Sequence, residues 1–201
     1  MKYVLLGLLT FYSFIGNSQN RSIKVKIHSI KGYNQFEPFA AKAASLLDSV
    51  LNSEEFKTEI LDGKFTKKNG LSNEQVYNSI IQSHELQGAG GEDGIVDLRL
   101  RTINKDEDHE VWLKRCELNS SAGTIGIDGL GDGIFAICPQ RLELWAMSDD
   151  TAALAAHFAH EYMHLLGYSH NGLFKSRTLV YKVGDIVEAI LNSKEKPFKT
   201  K

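Results

Sequence analysis

The sequence predicts an α+β fold, and three observations predict it. Near the N-terminus Ile23, Val25 and Ile27 alternate with Lys24, Lys26 and His28, the period of a half-buried strand over 22–30. Phe39, Ala43, Leu46, Leu47 and Val50 then recur at helical spacing. Further along, short strand-like runs give way to an alanine-rich stretch that is again helical in period.

Taken in order, Glu37-Pro38 marks the start of the helix over 39–51, because proline suits the first turn, where its missing N–H is not needed. Ser72 opens a second helix, with Glu74 and Gln75 in its first turn and Val76, Ile80 and Ile81 apolar. Residues 88–94 are glycine- and acid-rich and predict a loop. Strands are expected over 95–103, 110–118, 124–127 and 134–138, with an irregular turn between the last two. Asp149-Asp150-Thr151 supplies N-capping residues for a helix that runs through Ala152, Leu154, Ala155 and Phe158 to Leu166. A last helix is expected over 184–192.

The ends and the composition bound the class. Lys2, an apolar stretch over 3–15 and the small residues of Gly16-Asn17-Ser18 predict a signal peptide, 1–18, cut before Gln19. An uncleaved anchor is the alternative. No propeptide is expected, since the first strand starts soon after the cut. The mature chain, 19–201, has a size that one domain fills with a single core. Of 23 basic and 25 acidic residues only Lys2 lies in the leader, so the mature chain carries a net charge of −3, which argues against nucleic acid as a partner. No segment of the mature chain is apolar enough to span a membrane, and a monomer is expected. Cys116 and Cys138 are read as a disulfide suited to an exported protein, with two buried thiols as the alternative. A bridge there closes a loop of about 23 residues and stabilises by around 3 kcal/mol in the chain-entropy account.

Residues 160–170 read His-Glu-Tyr-Met-His-Leu-Leu-Gly-Tyr-Ser-His. His160 and His164 are four apart and share one face of a helix, a turn apart, where both imidazoles can hold one metal ion. Glu161 lies beside them, where a carboxylate can act as general base toward water. Gly167 suits a left-handed turn just past the helix, able to bring His170 back as a third ligand. Three imidazoles and an open fourth position form the layout of a catalytic zinc site, whereas a structural zinc is closed by four protein ligands. With 7 histidines and 17 glycines in 201 residues, a chance HExxH has odds of roughly 2%, and the full spacing roughly 5 in 100,000. The long form therefore decides the reading.

The run HExxHxxGxxH resembles the zinc signature of the metzincin metallopeptidases. That resemblance implies a small, twisted, mostly parallel β-sheet with helices as an upper lobe and a short C-terminal helical lobe around a zinc cleft. It implies a single catalytic domain over 19–201, a Zn²⁺ cofactor held by His160, His164 and His170, and a polypeptide substrate lying extended in the cleft. The strict match covers 160–170 alone. Metzincins carry a methionine-containing turn downstream, yet no methionine follows Met163. The segment Thr178-Leu179-Val180-Tyr181 is the best candidate for that turn, with Leu179 filling a similar apolar volume. Tyr181 then falls where some members carry a tyrosine that reaches the zinc or the oxyanion; a plain core tyrosine is the equal alternative. Asn171 follows the third histidine and leaves the subfamily open.

The function expected is thus a secreted or periplasmic zinc endopeptidase with Glu161 as general base. The alternatives are a non-catalytic zinc-binding module and a zinc hydrolase of a non-peptide amide. His157, three residues before His160, is read as a core histidine in preference to an extra ligand. Residues 128–132 lack the spacing of an EF-hand and are read as a turn; residues 106–110 are read as a solvated charged tip. Trp112 and Trp145 are read as packing residues, with Trp145 close enough to the metal helix to line a cleft.

Overall fold

A computed structural model of the chain describes residues 22–85, 93–118, 120–125, 133–169 and 175–195. The leader, the loop over 88–92, the turn over 128–132, His170 and Asn171 lie outside the described residues.

The alternating N-terminal run forms β1 (Lys24–Lys31), its lysines exposed and its Val25, Ile27 and Ile30 turned toward the core. β1 pairs in parallel with β2 (Ile95–Thr102). The short β3 (Thr124–Ile125) and β4 (Ile134–Ile137) complete a four-stranded sheet in the order β1-β2-β4-β3. β4 is parallel to β2 and antiparallel to β3, so three strands are parallel and one edge strand runs against them. The fold is α+β with a small, mostly parallel sheet, as expected. Helix α1 (Glu37–Leu51) packs Ala40, Ala43, Leu47 and Val50 into the core and closes the β1 edge. There the Asp48 carboxylate accepts from Val25 N at 2.8 Å, and Asn52 both accepts from Ile23 N at 3.0 Å and donates to Ile23 O at 2.8 Å.

Two helices go unannounced in the sequence reading. α2 (Glu54–Asp62) is capped by Ser53, whose hydroxyl accepts from Phe56 N, and buries Phe56 and Ile60. α3 (Asn73–Ile81) starts at Ser72 as expected, with a reciprocal capping box to Gln75. The predicted strand over 110–118 is instead helix α4 (Glu110–Glu117). Three local features favour the helix. The His109 ring accepts from Val111 N, Glu110 lies at the positive end of the helix dipole, and Lys114 and Arg115 lie at its negative end. The tip before it is not simply solvated, because Asp108 is buried in a bidentate pair with Arg101 and Glu107 pairs with Lys31. α5 (Pro139–Met147), the second unannounced helix, begins with proline in its first turn. Its N-cap, Cys138, is bonded to Cys116 of α4, so the expected disulfide is present.

α6 (Thr151–Leu165) is capped by Asp150, which accepts from Ala153 N at 3.0 Å. It is buried on most of its circumference, lying between α1 and α7 (Leu179–Glu195). Phe158 meets Phe135 of β4 edge to face, with ring centroids 6.4 Å apart. α7 begins five residues earlier than the sequence suggested. Leu179, Val180 and Tyr181 are therefore its first helical turn, where the counterpart of the methionine-containing turn was expected over 178–181. The reason lies just upstream: Leu179 N donates to Thr66 O and Thr66 N to Arg177 O, fixing the chain so that Lys182 N closes the first helical bond onto Thr178 O. Among the described residues no helix is long and apolar enough to cross a membrane.

Candidate metal centre

The alanines of α6 let its neighbouring helices approach closely, Ala156 lying against Gly184 of α7, and the histidines emerge near its C-terminal end. His160 and His164 lie one turn apart with ring centroids 5.3 Å apart and planes 75° to each other. Their side chains are only partly covered, whereas Glu161 between them is 3% exposed. Glu161 Oε1 lies 3.9 Å from His160 Nε2 and 3.7 Å from His157 Nδ1.

The turn after α6 sets the second histidine. Gly167 has φ +82°, a conformation that costs glycine little. It lets Gly167 N reach His164 O at 2.9 Å and Tyr168 N reach Met163 O at 3.0 Å, the bonds of a left-handed helix cap. Tyr168 O is thereby turned back onto His164 Nδ1, at 2.8 Å. A carbonyl only accepts, so Nδ1 carries the proton and Nε2 keeps its lone pair for a metal. Ligating histidines are held by this kind of outer hydrogen bond. Two tyrosines anchor this end of the helix to α3: Tyr162 donates to Ile80 O at 2.7 Å, and Tyr168 Oη lies 2.9 Å from Ser79 Oγ.

Tyr181, in the first turn of α7, stands edge-on to His160 with ring centroids 4.7 Å apart. Leu179 beside it is fully buried and belongs to the core under the site. The sequence-selected His160, Glu161, His164 and Tyr181 are thus brought together. Among the described residues no three His, Cys, Asp or Glu side chains converge into a ligand set; His170, the expected third ligand, lies outside them. As far as the pair goes it fits zinc: two imidazoles on one face, one with its tautomer fixed, beside a carboxylate.

Comparison of the chain with protein-family models, with curated proteins and with solved structures returns no match.

His157 lies under the site as a buried neighbour. Burial drives its pKa down to about 4, outweighing the Ala136 backbone, which favours the charged form. It is therefore neutral at ordinary pH. The ring of Trp145 from α5 packs on it at 5.9 Å, so Trp145 is a packing residue. Sequence reasoning missed α5 as the wall behind His157, although Pro139 after a strand and the apolar Leu142 and Trp145 three apart were its signal.

β4 runs along the same stretch of α6 as the histidines. Ala136 of β4 neighbours His157, Phe135 meets Phe158, and a Cβ placed on Gly133 falls 2.6 Å from Leu165 Cδ2. β4 therefore descends past residues 157–165, and β3 lies alongside it, with Thr124 opposite Phe135 and Ile125 opposite Ile134.

Proposed function

We propose that the chain is a secreted zinc-dependent endopeptidase. The observation that carries this reading is the arrangement on α6: Glu161 held beside His160 Nε2, with His164 Nδ1 committed to Tyr168 O. A zinc that only braced a fold would gain nothing from a carboxylate kept at that place. His160, His164 and, from the sequence motif, His170 are the residues that would hold the ion. When bound, zinc polarises the scissile carbonyl and lowers the pKa of water toward neutrality.

The chain's own groups do the rest. Glu161 accepts a proton from the attacking water and returns it to the leaving amine, and its burial strengthens both transfers by keeping bulk water away. The Tyr181 phenol donates to the developing oxyanion. An extended polypeptide adds to the sheet at its β3 edge, the neighbour of β4, while the opposite edge is already bonded to Asp48 and Asn52.

The test is metal analysis of the mature protein together with cleavage of a quenched random-peptide library, with and without chelator. One zinc per chain and chelator-sensitive cleavage are expected. Glu161→Gln should retain zinc and lose activity by about 10²–10⁴-fold. Full activity in that variant sinks the role of Glu161, zinc without cleavage favours a non-catalytic zinc module, and absence of zinc overturns the reading altogether.

A further inference from the structure

We infer that Gly184 is a positioning residue: it lets α7 approach α6 closely enough to set the Tyr181 ring against His160. The inference rests on the peptidase reading only for its catalytic consequence. Gly184 sits in the interior of the 17-residue α7, where glycine is the poorest helix former after proline, so its presence calls for a packing reason. The contact supplies one. A Cβ at this position falls 3.1 Å from Ala156 O and 3.6 Å from His160 Cβ. The nearer atom is helix backbone and has no side-chain freedom with which to yield. Around it Val180, Val183 and Val187 of α7 and Ala155 and Ala159 of α6 are fully buried, and Ala156 nearly so. No flexible side chain there can absorb the added atom.

Tyr181 is three residues before Gly184, on the same helical face. Both positions therefore bear on His160: a Cβ at 184 would meet its Cβ, and the Tyr181 ring lies 4.7 Å from its ring. A methyl group at 184 needs a few tenths of an ångström of relief; with Ala156 O fixed in the α6 backbone, α7 is the element expected to yield, and Tyr181 would move with it. A hydrogen bond to a developing oxyanion depends on placement at that scale.

The experiment is Gly184→Ala in the full mature chain, read first by NMR. The edge-on Tyr181 ring shifts the His160 ring protons, and the zinc-free protein suffices for that reading. Alanine is the better helix former, so the variant should fold with a melting temperature near the parent's. The His160 signals should move toward their position in Tyr181→Leu. Val183→Ala, a packing control at the same interface, should lower the melting temperature and leave those signals in place. Should Gly184→Ala not fold, Val187→Ile adds one methyl group a turn further along and serves as the gentler wedge. On the zinc-loaded enzyme, Gly184→Ala should reduce kcat about 10-fold with KM and zinc affinity unchanged. It should cost nothing more in a Tyr181→Phe background, because the two changes remove the same contact. Unmoved His160 signals overturn the inference whether or not the chain cleaves peptides. Independent losses in the double variant overturn its catalytic part. Moved signals in a protein without peptidase activity leave the positioning intact and count against the peptidase alone.

Discussion

The α6–α7 pair and the corner where α4 meets α5 are built in opposite ways, although both rest on β4. Across α6 and α7 the contact is close and apolar: Ala155, Ala159, Val180, Val183 and Val187 are fully buried and belong to the main core, and Gly184 lies against Ala156. At the corner a separate small cluster among the described residues holds Ile103, Cys116, Ala122, Ala136 and Cys138, helped by Trp112 and Leu113. α4 and its C-cap leave Val111 and Leu118 56% and 74% exposed, so the helix buries too little to hold itself down. The Cys116–Cys138 bond supplies what packing does not. The comparison teaches that this chain places its candidate chemistry where geometry is enforced by dense packing. A covalent link holds the part that has no core of its own.

The largest way to break that contrast is Phe158→Ala. Removing a fully buried ring between β4 and α6 should cost about 3–5 kcal/mol in denaturant unfolding. Zinc affinity should fall with it, because the helix that presents His160 and His164 loses its seat. An unchanged zinc affinity in that variant would show that the histidines do not depend on this packing.

His157 sharpens the same side of the comparison through pH. Its pKa of about 4 in the fold lies below the ordinary value of 6.5, so the unfolded chain takes up a proton first as pH falls. The contribution is complete above about pH 6.5, is lost as pH falls toward 4, and amounts to about 3 kcal/mol. In the zinc-free protein, His157→Leu should flatten this part of the stability curve. Identical curves for the two proteins would contradict the assignment.

The corner should respond more locally. Replacing both cysteines by alanine should lower stability by about 3 kcal/mol or less, with zinc binding and peptide cleavage retained. Loss of zinc binding in the folded double variant would mean that the corner, through Ala136, helps to shape the metal helix.

These regions also differ in how far they could be read from the sequence. The metal helix was legible because capping by Asp150, helical periodicity and the His-Glu spacing all agree over a single local stretch. α1, α3, β1 and β2 were legible for the same reason. α4 was mistaken for a strand because eight residues carry little periodicity, and the decisive signals were the His109 cap and the charges at its ends. α2 carried its signal in the Ser53 cap and α5 in the first-turn Pro139. The start of α7 was illegible, since it depends on the bridge between Thr66 and Thr178, residues more than a hundred positions apart.

By itself the sequence determined the α+β class, the choice of His160, Glu161 and His164, and the turn at Gly167, all of which depend on residues within a few positions of one another. Only the tertiary structure decided that Tyr181 faces His160, that His157 is buried and neutral, that Tyr168 O orients His164 and that β4 runs beside the motif. The division is physical. Helix periodicity and capping are short-range properties, written where they act. Burial, helix approach and tautomer arise from contacts that exist only once distant segments meet.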